Sequence, residues 1–210
     1  ERPHGARLGG GLRPAAGGPP SGRWEARSAG LVPPASNLRN LVAGNRAVTV
    51  GARDGALIRL SPEGRFLKRL TPAQFGLPRE PGPIVGLAPG PDERTLLVAF
   101  TEAGAWRVDP EKLSAERVAE FSEARIVDMA VSADGDTVVL ATSDDQVHVY
   151  RLPGGATKVP TLPQPAAVES VAVSADGGRV AVCLGGDHSL RVFDLTRLEA
   201  ACREMLAGRR

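Results

Sequence analysis

A chain of 210 residues suits one domain or one and a half. Its 26 basic and 24 acidic residues leave a net charge of +2, so it lacks the electrostatic footprint that binding to DNA or RNA requires. Hydrophobic residues reach 42% but aromatics only 4%; the core must be built from Val, Leu, Ile and Ala, and the 25 Gly and 18 Pro, without a collagen period, point to frequent turns between short strands.

Residues 1–36 are dominated by Gly, Pro, Ala and Arg, and no period of 2 or 3.6 survives in them. Such a segment buries too little apolar surface to offset the entropy of ordering its backbone. A linker or disordered tail is expected there. Trp24 either anchors a short strand against the first repeat or lies exposed. Arginines gather at both ends, at Arg2, Arg7 and Arg13 and again at Arg203, Arg209 and Arg210; these read as solvated tails.

From Leu38 the character changes. Short apolar runs follow one another: "AVTV", "ALIRL", "RFLKRL", "TLLVAF", "AWRV", "VDMAV", "TVVLAT", "QVHVY", "SVAV", "RVAVCL" and "SLRVF". Each has 4–6 residues and most are rich in β-branched types, which predicts strands. The connectors "RDG", "SPEG", "SADG" and "PGG" carry the Gly and Asp that tight turns need.

The runs repeat. Asp134 and Asp176 stand 42 residues apart, as do Ile126 and Val168, Met129 and Val171, and Val138 and Val180. The same step backwards from blade positions Ile126, Met129, Asp134 and Val138 lands on Ile84, Leu87, Asp92 and Leu96. An earlier unit fits less strictly: Leu38 and Leu41 lie 46 before Ile84 and Leu87, while Val48, Ile58 and Leu60 lie 48 before Leu96, Trp106 and Val108. A period near 40–45 with four short strands marks a β-propeller blade. The expected fold is all-β: about four four-stranded antiparallel blades, at 37–71, 82–122, 124–161 and 166–207, the last finished by a short C-terminal helix. The organisation is a tail over 1–36, blades over 37–195 and a helical tail over 196–210.

At these residues the chain resembles the WD40 family. Its blade ends strand b in a turn containing Asp and runs through strand c to Trp-Asp. "GGDHSLRVFD" places Asp187 in that turn and Phe193-Asp194 at the dipeptide. "TSDDQVHVYR" places Asp145 and Tyr150-Arg151 there, "ARDGALIRL" places Asp54, and "TEAGAWRVD" places Glu102 and Val108-Asp109. The repeats are degenerate: no Trp-Asp and no Gly-His stands intact, so the family's buried His, Ser/Thr, Asp and Trp network is missing. Bacterial propellers of the YVTN type carry similar Ser-x-Asp-Gly turns. Four blades leave two open ends if the angular step is that of a seven-bladed ring. The chain then belongs to a longer protein, or a partner completes the ring, or the ring closes at four.

The tail "LTRLEAACREMLAGRR" has helical spacing, with Thr196 a candidate N-cap, Glu199 three residues on and Gly208 a candidate stop. Cys183 and Cys202 read as buried thiols. His4, His148 and His188 stand at no zinc spacing, and no nucleophile elbow, Walker loop or Cys-x-x-Cys is present. Asp128 and Ser170 share a strand-a position with Gly86, which makes no site. The expectation is a non-catalytic protein-interaction scaffold, with no cofactor and no metal. Its partners would be other proteins or further blades. Alternatives are a sensor module of a larger bacterial signalling protein, beside a kinase or NTPase, and a propeller enzyme. With no signal-peptide pattern and no run of about 18 apolar residues, a cytoplasmic protein off the membrane is expected. Exposed apolar faces are expected near Leu38–Leu60 and Val180–Phe193.

Overall fold

The computed structural model describes residues 11–14, 24–27, 38–43, 47–92, 94–152, 156–159, 161–186 and 188–207. Strands β1 (Gly11–Pro14) and β2 (Trp24–Arg27) pair antiparallel, with Pro14 opposite Trp24. A hairpin therefore occurs inside the segment expected to be a tail. Trp24 does lie in a short strand, but its partner is Gly11–Pro14, and the segment has no alternation to mark the pair.

Four antiparallel sheets follow in chain order. Blade 1 holds β3 (Leu38–Ala43), β4 (Val48–Ala52), β5 (Leu57–Leu60) and β6 (Phe66–Leu70). Blade 2 holds β7 (Ile84–Pro89), β8 (Leu96–Phe100), β9 (Gly104–Asp109) and β10 (Ser114–Ala119). Blade 3 holds β11 (Ile126–Val131), β12 (Thr137–Thr142) and β13 (Gln146–Arg151). Two short pieces, β14 (Thr157–Lys158) and β15 (Leu162–Pro163), both pair with β13. Blade 4 has only β16 (Val168–Val173), β17 (Arg179–Leu184) and β18 (Leu190–Asp194) before helix α1 (Leu195–Ala207).

The 42-residue register appears as a backbone feature. Each inner strand of blades 2, 3 and 4 carries an irregularity at the same step, between Ile84 and Gly86, Ile126 and Asp128, and Val168 and Ser170. One extra residue there bends the strand and raises its twist. Inner strands touch in the order β3, β7, β11, β16, and the sheets do not close into a ring.

Period-2 alternation gives every sheet two apolar faces. Leu96, Val98 and Trp106 of blade 2 pack with Leu57 and Leu70 of blade 1. Leu97, Ala99 and Ala105 on its other face pack with Val138, Leu140 and Tyr150 of blade 3. Val139, Ala141, Val147 and Val149 of blade 3 then meet Val180, Val182 and Leu184 of blade 4. Of the core positions implied by the repeat, Leu87 and Met129 are half-buried, while Ile84, Val98, Leu140 and Val182 are fully enclosed.

The turns between first and second strands explain the repeated Ser-x-Asp-Gly. Ser132 Oγ accepts the Thr137 N–H at 2.9 Å and donates to Asp134, whose carboxylate accepts the Asp136 N–H at 3.0 Å. Ser174, Arg179, Asp176 and Gly178 repeat these contacts. Gly177 has φ +67°, and a Cβ there would lie 2.2 Å from Thr137 Oγ1. Only glycine fits both demands.

Candidate interaction surface

Contacts between inner strands fix the spacing of the blades. Asp128 Oδ2 accepts the Val171 N–H of the next blade at 2.9 Å. Asn40, at the corresponding place in blade 1, donates from Nδ2 to the Ile84 carbonyl at 3.1 Å. Gly86 holds the same position in blade 2, where a Cβ would come within 2.4 Å of Met129 Cβ. Asn, Gly and Asp at one register position thus serve one task by different means.

The family-motif residues divide between turns and core. Asp54 sits in the β4–β5 turn, accepts the Ala56 N–H at 3.2 Å and pairs with Arg69. Asp145 occupies the β12–β13 turn with φ +61°, and its carbonyl accepts the Gln164 N–H at 2.8 Å. The neighbouring Asp144, not Asp145, takes the side-chain bond, from Thr142 Oγ1 at 2.5 Å. Tyr150 is buried against blade 2, and that burial raises the pKa of its phenol. Phe193 lies opposite Val180 and packs on the blade 3–blade 4 core. Asp187 lies outside the described residues.

Asp194 caps the helix: its carboxylate accepts the Arg197 N–H at 3.0 Å. Thr196 was the expected cap. Because β18 runs straight into α1, the junction residue Asp194 falls at the cap position. Glu199 instead receives Arg151, through Nε at 3.1 Å and Nη2 at 2.9 Å. Arg151 also donates to Thr137 Oγ1 and to the Gly177 carbonyl at 3.1 Å. One guanidinium joins blade 3, a blade 4 turn and the helix. Gly208 and the side chain of Cys202 lie outside the described residues.

A polar cluster fills the outer half of blade 3. His148 Nε2 lies 3.2 Å from Thr142 Oγ1, His148 Nδ1 lies 3.3 Å from Thr161 Oγ1, and the Phe121 ring is 4.7 Å from the imidazole. The sequence did not reveal this grouping, since Thr161 comes from an irregular connection. Among the described residues no group of three His, Cys, Asp or Glu is placed to hold a metal. A shallow polar depression of about 360 Å³ in blade 2 is lined by Asp92, Arg107, Asp109, Lys112 and Glu116. Its carboxylates are committed: Asp109 takes the Glu111 and Lys112 N–H groups, and Glu116 pairs with Arg107.

The two ends of the blade stack differ. On the far side of blade 1, Val50, Ile58 and Leu60 are buried, while Leu41, Phe66 and Leu67 on the flanking strands are exposed. The expected open face at Leu38–Leu60 is therefore covered at its centre. Blade 4 turns Ala181, Cys183, Leu190 and Val192 away from blade 3; Leu190 is 67% and Val192 63% exposed. Ala181 and Cys183 correspond to Val139 and Ala141 of blade 3, and Leu190 and Val192 to Val147 and Val149. In blade 3 all four are fully buried.

No family model matches the sequence, and no curated protein is similar to it. Among solved structures, the C-terminal WD40 domain of Sif2 superposes with a TM-score of 0.63 at 12% identity. This chain has a WD40-like propeller fold. The match covers 76% of this chain and 46% of the Sif2 domain, so four blades span less than half of that domain. Among the described residues no helix is long and apolar enough to cross a membrane.

Proposed function

We propose that the chain is a non-catalytic protein-interaction scaffold of degenerate WD40-like repeats, working in the cytoplasm. Its partners are other proteins or further blades. One observation carries this reading: the outward face of blade 4 is built like the covered face of blade 3, yet Leu190 and Val192 stand in solvent. An exposed apolar patch with polar neighbours marks an interaction site. Asp54 in its turn and Asp194 at the helix cap are both engaged by such contacts, which supports a structural role for these two motif residues. In affinity purification, the substitutions Leu190→Asp and Val192→Asp should abolish partner retention while the far-ultraviolet circular dichroism is unchanged. The same partners held in the same amounts by the double variant would refute the assignment.

A further inference from the structure

We infer that the β1–β2 hairpin caps the outer face of blade 1, in the place a preceding blade would take. That face carries Val48, Val50, Ile58 and Leu60, paired across β4 and β5, and Val50, Ile58 and Leu60 are only 3%, 2% and 5% exposed. Among the described residues their cluster holds blade 1 side chains alone, whereas Leu57 and Leu70 on the other face meet blade 2. Neighbours within a sheet do not bury its middle strands to this degree. Blade 4 supplies the comparison: on its open face even the small Ala181 and Cys183 of the middle strand stay half-buried. The cover over Val50 and Ile58 therefore comes from the same chain.

Order and size point to the hairpin. Inner strands touch in chain order, β3, β7, β11, β16, so the element that precedes β3 falls on the far side of blade 1. Residues 28–37 separate Arg27 from Leu38, a length that spans up to about 33 Å and reaches across the sheet. Two strands lie roughly 5 Å apart and cover about half the width of a four-stranded face. The exposure follows that footprint. At the centre β4 and β5 are buried, while Leu41 on β3 and Phe66 on β6, which share the face, are 61% and 46% exposed. A whole blade would cover all four strands. The hairpin thus ends the stack at blade 1, and a further blade or a partner sheet joins there only by displacing it.

Photo-crosslinking in the full chain tests the cap. The photoreactive p-benzoylphenylalanine is placed at position 24 or, in a second variant, at position 25. Successive side chains of a strand point to opposite faces, so one of the two must face blade 1. Illumination of dilute protein should give an adduct of monomer size between that position and the segment Val48–Leu60. Adducts to this segment from neither position, or adducts of dimer size only, would overturn the inference. Replacing Trp24–Arg27 by Gly-Ser-Gly-Ser should raise hydroxyl-radical labelling of Ile58 and Leu60 several-fold, towards that of Leu41, with Val182 and Leu184 as protected as before. Unchanged labelling of Ile58 and Leu60 would equally overturn it. Neither result bears on the Leu190 and Val192 test of the scaffold reading.

Discussion

Arg151→Met removes a side chain whose hydrogen bonds tie blade 3, the Gly177 turn and α1 together. The aliphatic stem survives, so packing is largely kept and the hydrogen bonds are lost. These are two bonds to Glu199 Oε1, one to the Gly177 carbonyl and one to Thr137 Oγ1. Hydrogen bonds involving a charge contribute about 1.5–3 kcal/mol when buried. Here the Arg151 and Glu199 side chains are 29% and 25% exposed, so solvent screening brings the ion pair to about 1 kcal/mol. With the two oxygen acceptors the total loss is about 2 kcal/mol. In a chain of this length that lowers the melting temperature by roughly 4–8 °C. Urea unfolding of wild type, Arg151→Met, Glu199→Gln and the double variant would isolate the pair, with an expected coupling of about 1 kcal/mol. Hydrogen exchange should also quicken in α1, whose Leu195 is fully enclosed. A melting temperature within about 1 °C of wild type, or zero coupling to Glu199, would show that the helix is held by its apolar contacts alone.

Leu140→Ala, at a position with no exposure between blades 2 and 3, should cost about 2–5 kcal/mol in urea unfolding, and clearly more than Met129→Ala at its half-buried site. Gly177→Ala should destabilise strongly, because its Cβ would strike Thr137 Oγ1. Gly186→Ala, with φ +82° and nothing within 4 Å of the new Cβ, should cost only about 1 kcal/mol of backbone strain; equal losses at the two sites would refute the close-approach argument. Hydrogen bonds from Ser132 to Asp134 and from Ser174 to Asp176 hold both carboxyls below their ordinary pKa. Groups depressed in the fold add stability that is complete above about pH 4–5 and is lost as pH falls through the folded values. Asp134→Asn with Asp176→Asn should therefore flatten the acid limb of the stability profile, measured as urea midpoint against pH.

The repeat made the blades visible because sheet packing imposes a strict alternation, and the same alternation recurs every 42 residues. Ile84, Ile126 and Val168 are buried at matching places for that reason. What escaped depends on contacts between distant segments. Thr161 reaches His148 from a connection without period, and Arg151 finds Glu199 across 48 residues. Neither pairing leaves a local signature. The helix cap was misplaced by two residues because the sequence does not show where β18 gives way to α1; a Thr and an Asp two positions apart are both good caps. Family spacing points to Asp145; the structure gives the positive φ to Asp145 and the hydroxyl contact to its neighbour Asp144.

The unequal ends of the arc set what the protein can assemble with. A blade face is apolar because it is made to be stacked, so an uncovered one is a defect unless something meets it. At blade 1 the centre of that face is buried, with Ile58 as enclosed as Leu57 on the inner face. At blade 4 the fourth strand is missing and α1 takes its place in sequence. The helix does not close the stack there: Leu195 and Leu198 pack into the blade 3–blade 4 core, on the side away from Leu190 and Val192. Among the described residues β18 is the edge strand of its sheet, and Leu190 and Val192 are exposed beside that edge. Small residues on β17, Ala181 and Cys183, make a shallow floor, and Leu190 and Val192 stand above it as a ridge. On the scaffold reading proposed above, a sheet that lies flat against the floor is the expected partner of such a surface. Specificity must then come from its border, where Arg179 and Asp194 lie across from each other. Arg179→Glu reverses one charge of that border while the apolar area and the Asp194 helix cap are kept, so a change in partner choice would isolate the contribution of that border.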